Sequence, residues 1–446
     1  MGRSRPRQEE QAVIESVTHD GRGITSVDGK KVFVAGALAG ETVRFIRRKR
    51  RRNYDEAELL DVLEPVASRV SPRCAVYGVC GGCSLQHLSA AMQRSIKEAS
   101  LRDSLARIGG VTPRRWLPPV YDERTDGEWH YRRRARLAVK DVHGKGRVLV
   151  GFRERHAPFV TDMQRCEVLA KPVHELIAPL SDLVATLSIR SRLPQIEVAV
   201  GDNALRLVFR VLDPPTDDDR AKLEAFGRQH GLTVALQPGG LDSVVDLWPE
   251  SPPALSYCLP DFDVELQFDA TDFVQVNATV NARMVSLAVD LLAAGPGDRV
   301  LDLYCGLGNF SLPLARRAEE VLGIEGERRL VERASANAAH NGIRNASFLA
   351  ADLSELDGKE QWLSQPWQCL LLDPARSGAA AVVAQIGRID PERIVYVSCH
   401  PGTLARDAAN LVAAGYRLDA AGIIDMFPHT AHVESIAVFE KNRKNK

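Results

Sequence analysis

Three cysteines stand close together at Cys74, Cys80 and Cys83, the last two separated only by Gly81-Gly82. Thiolates gathered by a glycine turn suit a soft metal ion or an iron–sulfur cluster, and a tetrahedral donor set needs a fourth ligand. Two residues could supply it. His87 would complete a Cys3His zinc site, whereas the distant Cys166, in MQRCEVL, would make four thiolates. Spacing alone does not choose between zinc and iron. The plain alternative, three buried free cysteines, is disfavoured by so tight a spacing across a CGGC turn.

A second constellation lies near the C-terminus. DRVLDLYCGLGNFSLPLARRA reads as an apolar strand, a turn at Gly306 and Gly308, and a helix. Such glycines let backbone approach a nucleotide, and Glu325, ending the next strand about twenty residues on, can accept both ribose hydroxyls. That much fits NAD equally well. Three further strands then end in Asp352, in Asp373-Pro374 and in Ser398-Cys399-His400-Pro401. Open α/β sheets bind ligands at the carboxyl ends of their strands, so this delivery of polar groups favours a methyl-transferring domain using S-adenosylmethionine over a dehydrogenase. Asp302, inside VLDLY, is expected to be a solvated strand end. Gln275 and Asn277 could cap a helix starting near Ala278. Cys258, Cys305 and Cys369 read as ordinary packing.

The elements that must position these groups fill 446 residues, enough for two to four packed units. Lys+Arg and Asp+Glu both number 58, and 45% of residues are apolar, so neither global disorder nor a membrane-spanning protein is expected. MGRSRPRQEE carries charge where a secretory segment needs an apolar core, and the expected compartment is the cytoplasm. The balanced charge hides an asymmetry. Residues 1–54 hold thirteen Lys/Arg against six Asp/Glu, with seven of the cations between 44 and 53. Five short strand-like runs in the same stretch, AVIESV to EAELLDVLEP, suggest a small oligonucleotide-binding barrel with one intensely basic hairpin. PVASRVSPRC is the following linker. RRRARLAVK, RVLVGFRE, QIEVAV and ALRLVFRVL then read as strands of an α+β region interrupted by a helical KPVHELIAPLSDLVATL. In HYRRRARL, Arg132, Arg133, Arg134 and Arg136 beside His130 and Tyr131 suit a folded RNA as well as a charged strand edge. The fold class is multidomain α/β: an OB-like barrel over 1–66, a central α+β domain over 67–268, and a Rossmann-like class I methyltransferase domain over 269–446.

CAVYGVCGGCSLQH, DFVQVN, LDLYCGLGNFSLPLA, LLLDPARSG, YVSCHPGTLARD and FPHTAHVE, in this order along the chain, together resemble the RNA uracil-5-methyltransferase family. The barrel resembles a TRAM domain. The resemblance implies a [4Fe-4S] cluster on Cys74, Cys80, Cys83 and Cys166, with His87 left out. It implies S-adenosylmethionine contacts at Gln275, Tyr304, Asn309, Glu325, Asp352 and Asp373. It makes Cys399 the nucleophile and Glu434 the general base, with Asp373 assisting, and 23S ribosomal RNA the substrate; no obligate protein partner is evident. Tyr304 stands where relatives often carry another aromatic residue.

The chemistry accounts for these residue types. C5 of uracil is too weakly nucleophilic to attack a methyl sulfonium, but a thiolate added to C6 supplies the missing electron density. Removal of the C5 proton then expels the thiolate. The base must leave its stack to be reached, so a flipped uridine is expected. The barrel, HYRRRARL and the tail KNRKNK would hold phosphates while this happens. Other readings are a uracil methyltransferase acting at another 23S site or on transfer RNA, and a non-catalytic RNA-binding protein; intact Cys399, Asp373 and Glu434 argue against the last. His400, His429 and His432 are expected to be structural.

Overall fold

The computed structural model describes residues 9–442, which fall into two compact units interleaved along the chain. The first takes in residues up to 100 together with 153–161 and 427–432; the second takes in 101–152, 162–426 and the chain from 433 onward. The three ranges read from the sequence cut across these units, because two short segments far along the chain belong with the N-terminal part. Arg3, Arg5, Arg7 and the last four residues of KNRKNK lie outside the described residues.

In the first unit, six strands form one sheet, in the spatial order Glu9–Val13, Thr42–Arg50, Tyr54–Glu64, Lys30–Ala35, Arg22–Val27, Ser16–Val17. The expected AVIESV strand is divided. Ile14 turns inward at 1% exposure, and its N–H reaches the Glu41 carbonyl at 2.9 Å. The chain before this bend pairs with one end of the sheet and the chain after it with the other. Inward-facing Ile14, Val32, Val34, Val43 and Phe45 make the core, as period-two alternation requires.

The basic hairpin is less uniformly available than its composition suggests. Arg47 is nearly buried between Glu10 (2.6 Å) and the fully enclosed Asp55 (2.8 Å), Arg44 faces Glu9 and Asp61, Arg48 pairs with Glu58, and Lys49 lies 3.5 Å from Glu56. Arg50, Arg51 and Arg52, in and after the strand's last residue, have no ion-pair partner among the described residues. Replacing these three by Ala should weaken RNA binding and reduce the slope of log affinity against log salt by about 2 to 3, near 0.7–0.9 for each phosphate no longer neutralised. Arg47→Ala should instead lower thermal stability, since it leaves the buried Asp55 carboxylate with Lys30 (2.6 Å) as its one remaining ion-pair partner among the described residues. Filter binding across salt concentrations and a melting curve check the two outcomes.

The second unit contains a mixed six-stranded sheet, a two-stranded ribbon and an eight-stranded sheet. The four middle-region strands expected from sequence all form, as Arg134–Val142, Arg147–Gly151, Gln195–Val200 and Leu205–Arg210. Thr233–Gln237 and Val245–Trp248 join them, and KPVHELIAPLSDLVATL is broken into helices Lys171–His174 and Ile177–Ala185. The HYRRRARL cations all have partners, although Arg136 stays exposed. Arg133 meets Asp202 at 2.5 Å, Arg136 meets Glu197 at 2.8 Å, Arg134 donates to the Ala270 carbonyl, and Arg132 Nε donates to the Arg134 carbonyl at 2.9 Å.

The eight-stranded sheet runs Ala346–Ala350, Glu320–Glu325, Arg299–Leu303, Cys369–Leu372, Arg393–Ser398, Glu434–Lys441, Tyr416–Ile424, Arg115–Trp116. Its first five strands are parallel, and Glu434–Lys441 enters antiparallel between the fifth and seventh. Val300, Leu301, Leu303, Leu370, Leu371 and Leu372 are buried on both faces, which is why these strands read as continuous apolar runs. Strand order reverses beside Arg299–Leu303, opening a ligand crevice at the carboxyl ends of the strands.

Candidate active site and cysteine loop

The glycine turn following Arg299–Leu303 is held from the neighbouring strand. Tyr304 N and Cys305 N both donate to the Ile324 carbonyl, at 2.8 and 3.1 Å, which fixes Tyr304 at φ 65°. A left-handed aromatic residue costs about 1–3 kcal/mol and persists only where its surroundings impose it. Gly308, at φ 97°, allows the chain to turn into the helix Ser311–Ala315. Glu325 is anchored from both sides, with Oε2 accepting Gly306 N at 3.1 Å and Oε1 accepting Glu327 N at 3.2 Å. Its carboxylate therefore borders the turn, as a ribose-binding acid must.

Asn309 is engaged more fully than its sequence context suggests. Its Oδ1 accepts from the Tyr257 hydroxyl (2.9 Å) and Asn281 Nδ2 (3.0 Å), and its Nδ2 donates back to Asn281 Oδ1 (2.9 Å). Asp352 is exposed and closes its own turn by accepting Ser354 N and Oγ, hydrogen bonds that lower its pKa. Gln275 is half-buried; Asn277, not Gln275, caps the helix Ala278–Leu292, accepting Val280 N at 3.2 Å.

Asp302 is not a solvated strand end. It is completely buried, its Oδ2 accepts the Ser311 hydroxyl at 2.5 Å, and Oδ1 has no hydrogen-bond partner. Burial, reinforced by the charges of Asp373 and Glu325 against the Ser311 hydrogen bond, pushes its pKa up to about 7. The available signal was an acid within an otherwise apolar strand and a Ser nine residues later. Because its folded pKa exceeds the usual 3.8, the folded state keeps the proton across a pH range in which the unfolded chain has released it. Stability should therefore fall as pH rises from about 4 to about 7 and level off above, and Asp302→Asn should flatten part of that slope in urea melts at about pH 5 and about pH 8.

Asp373, Cys399 and Glu434 meet at one sheet edge. Asp373 follows the Cys369–Leu372 strand; burial and the Glu325 charge raise its pKa to about 7. Cys399 follows Arg393–Ser398, and His400 then caps the next helix, accepting Thr403 N on Nδ1 at 3.2 Å, with Pro401 in its first turn. Antiparallel register pairs Ser398 with Ser435, so one step further along both chains come Cys399 and Glu434. Burial chiefly, then the charges of Glu434 and Asp373, push the half-buried Cys399 thiol up to about 11, with Arg376 opposing them. Arg376 is located by its carbonyl, which accepts Thr403 Oγ1 at 3.2 Å. The two carboxylates and the guanidinium are thus close enough to act electrostatically on one sulfur.

The other cysteines are distinguishable by environment. Cys305 and Cys369 are buried with raised pKa values, dominated by desolvation. Cys258 departs from the packing expectation: its side chain is exposed.

No disulfide joins any two of the eight cysteines among the described residues, and three of them stand in the loop of the first unit. Gly81 N donates to the Arg153 carbonyl at 2.9 Å, and a Cβ there would lie 3.1 Å from that oxygen, which explains one glycine of CGGC. Gly82 N–H points at Cys80 Sγ at 3.4 Å, and the Arg155 guanidinium donates to the Cys83 carbonyl. An N–H···S contact and a nearby cation fit thiolate ligands. His87 is buried, hydrogen-bonded through Nδ1 to the Tyr77 hydroxyl at 2.6 Å, and held neutral by burial and the Arg69 charge, its pKa lowered to about 4. Within the same unit, His429 accepts Ser84 N and Leu85 N on its carbonyl and is bracketed by Gln93, which accepts its N–H at 2.7 Å. Phe427 and His432 stack at 5.3 Å. Cys166 is buried in the second unit.

A Rossmann-like sheet with a glycine turn, a ribose-type acid and a cysteine opposed by a carboxylate defines a nucleotide-using transferase, and the chain belongs to the RNA uracil-5-methyltransferase family. The family profile described as tRNA (Uracil-5-)-methyltransferase matches residues 258–442. Full-length relatives lie close: the 23S rRNA (uracil(1939)-C(5))-methyltransferase RlmD of Alkalilimnicola ehrlichii is 50% identical, covering 100% of both chains. The enzyme of that name from Nitrosococcus oceani is also 50% identical, covering 98% of each. The fold is shared with the Pyrococcus abyssi tRNA (uracil-54, C5)-methyltransferase crystallised with S-adenosyl-L-homocysteine, at TM-score 0.73 and 24% identity, covering 96% of this chain and 100% of that one.

Proposed function

We propose that this chain methylates C5 of uridine 1939 in 23S ribosomal RNA, using S-adenosylmethionine. The observation that carries the reading is half-identity over the entire length to enzymes named for that reaction. The convergence of Cys399, Glu434 and Asp373 on one edge supports it independently. When bound, S-adenosylmethionine supplies the electrophilic methyl group. Glu325, Asp352 and Asp373, with Gln275, Tyr304 and Asn309, form the surface that receives it.

Cys399, deprotonated, adds to C6 of the flipped uracil and so makes C5 nucleophilic toward the methyl group that bound S-adenosylmethionine would supply, the S–CH3 bonding pair remaining on sulfur as S-adenosylhomocysteine leaves. Glu434 then removes the C5 proton, the C5–C6 double bond re-forms, and Cys399 leaves as thiolate. Asp373 orients the base or the donor. Such a cycle needs a thiolate although the sulfur of the ligand-free enzyme holds its proton to about pH 11, so the positive sulfonium and Arg376 assist ionisation on binding.

On the same reading, residues 1–66 are an OB-like, TRAM-type RNA-binding barrel, with the six strands between Glu9 and Glu64 as its wall. Residues 67–268 are the central domain, 269–446 the methyltransferase domain, and Cys74, Cys80, Cys83 and Cys166 hold a [4Fe-4S] cluster. The N–H···S contact at Cys80 supports iron–sulfur ligation. Uracil methylation is redox-neutral, so the cluster's role is to brace the cysteine-bearing segments. An anaerobic preparation should be brown; a colourless, zinc-loaded active enzyme would refute the cluster. No helix among the described residues is long and apolar enough to cross a membrane. Mass mapping of methylated uridines in ribosomal and transfer RNA, from cells with and without the chain, tests the substrate. Loss of one 23S 5-methyluridine is expected; loss confined to transfer RNA would overturn it.

A further inference from the structure

Away from the sheet edge, in the second unit, His130, Glu167 and His174 each bring one potential ligand atom within 4.8 Å of the other two. We propose that these three side chains form a divalent transition-metal site, suited to zinc, separate from the cysteine ligands. Two imidazoles and one carboxylate are borderline donors that favour zinc over magnesium or calcium, and three protein ligands leave a fourth position for water.

The arrangement is built by backbone rather than by surface chance. His130 N donates to the Glu167 carbonyl at 3.0 Å, and Cys166 N donates to the His174 carbonyl at 3.1 Å, so the three ligand-bearing segments are tied together. His130 Nδ1 lies 3.2 Å from the Leu169 carbonyl. A carbonyl only accepts, so Nδ1 carries the proton and Nε2 presents a lone pair, the tautomer that an outer hydrogen bond selects in metal-binding histidines. His130 is also held at φ 53°, a conformation uncommon outside glycine and a frequent mark of functional positions. The two imidazole rings meet edge to face at 4.5 Å. Glu167 is 4% exposed; Arg165 engages its Oε1 at 2.7 Å, and a carboxylate has a second oxygen for a cation. His174 contributes a buried Nδ1 with no hydrogen-bond partner among the described residues.

Such an ion would staple residue 130 to the segment 166–174 and thereby brace the backbone of Cys166. The proposal does not depend on the methyltransferase reading. It is tested by adding Co2+ alone to the full-length chain under anaerobic conditions and recording the visible spectrum. One equivalent should bind with ligand-field bands that lack sulfur-to-cobalt charge transfer, and Zn2+ should displace it. His174→Ala and His130→Gly should each weaken binding by about 100-fold or more, the upper end for losing even an outer partner. His130→Gly relieves the left-handed strain, so an unchanged or higher melting temperature would separate loss of a ligand from loss of fold. Cobalt absorbance dominated by thiolate charge transfer, or equal affinity in both variants and the parent chain, would overturn the site.

Discussion

Glu434→Gln is expected to stop turnover while making Cys399 more reactive. Glu434 is the larger of the two negative charges that hold the Cys399 thiol toward pH 11. Its neutralisation should lower that value, so iodoacetamide should alkylate Cys399 faster near neutral pH in the ligand-free enzyme. The same change removes the group that takes the C5 proton, and loss of a general base costs about 10²–10⁴-fold in rate. Addition and methyl transfer precede that step. The variant should therefore accumulate RNA covalently bound to the protein, visible as a slower band under denaturing conditions in the presence of S-adenosylmethionine. Wild-type turnover, or a carboxamide variant with no covalent RNA, would remove Glu434 from the role of base.

Cys399→Ser is expected to abolish the reaction at an earlier point. The hydroxyl stays protonated where a thiol can ionise, and loss of a covalent nucleophile lowers turnover by on the order of 10⁴-fold or more. No covalent RNA should form, and the Cys399→Ser, Glu434→Gln double variant should behave like the serine variant alone. Affinity for S-adenosylmethionine, measured by calorimetry, should change little, since the glycine turn and Glu325 are untouched. Cys305 offers no substitute: it is buried in the cofactor turn, and desolvation holds its thiol protonated. Persistent methylation by the serine variant would exclude the C6 adduct.

The charge pattern around Cys399 links these outcomes to the fold. Parallel strands deliver Asp373 and Cys399 at one edge because both project from carboxyl ends. Glu434 reaches the same edge from the opposite direction, at the start of the one antiparallel strand inserted beside Arg393–Ser398. Cys399 and Glu434, the proposed nucleophile and base, thus come together through strand register, not through nearness in the chain. Glu325 borders the glycine turn, whereas Asp302 is enclosed in the sheet; desolvation and neighbouring negative charge raise the pKa of both Asp302 and Asp373 to about 7.

Much of this was written in local pattern. Apolar strands, a glycine turn, strand-final acids and the SCHP break identified the methyltransferase sheet, because strand burial and tight turns depend on residues within a few positions of one another. Family motifs in order along the chain likewise identified the reaction class. Tertiary structure decided what depends on partners distant in sequence. It buried Asp302 against Ser311, cancelled most of the hairpin's positive charge with acids on adjoining strands, paired Arg133 and Arg136 of HYRRRARL with Asp202 and Glu197, and left Cys258 exposed. Composition records how many charges a segment carries, but desolvation and pairing depend on which atoms come within a few ångströms of them, and that is settled only when non-adjacent strands pack.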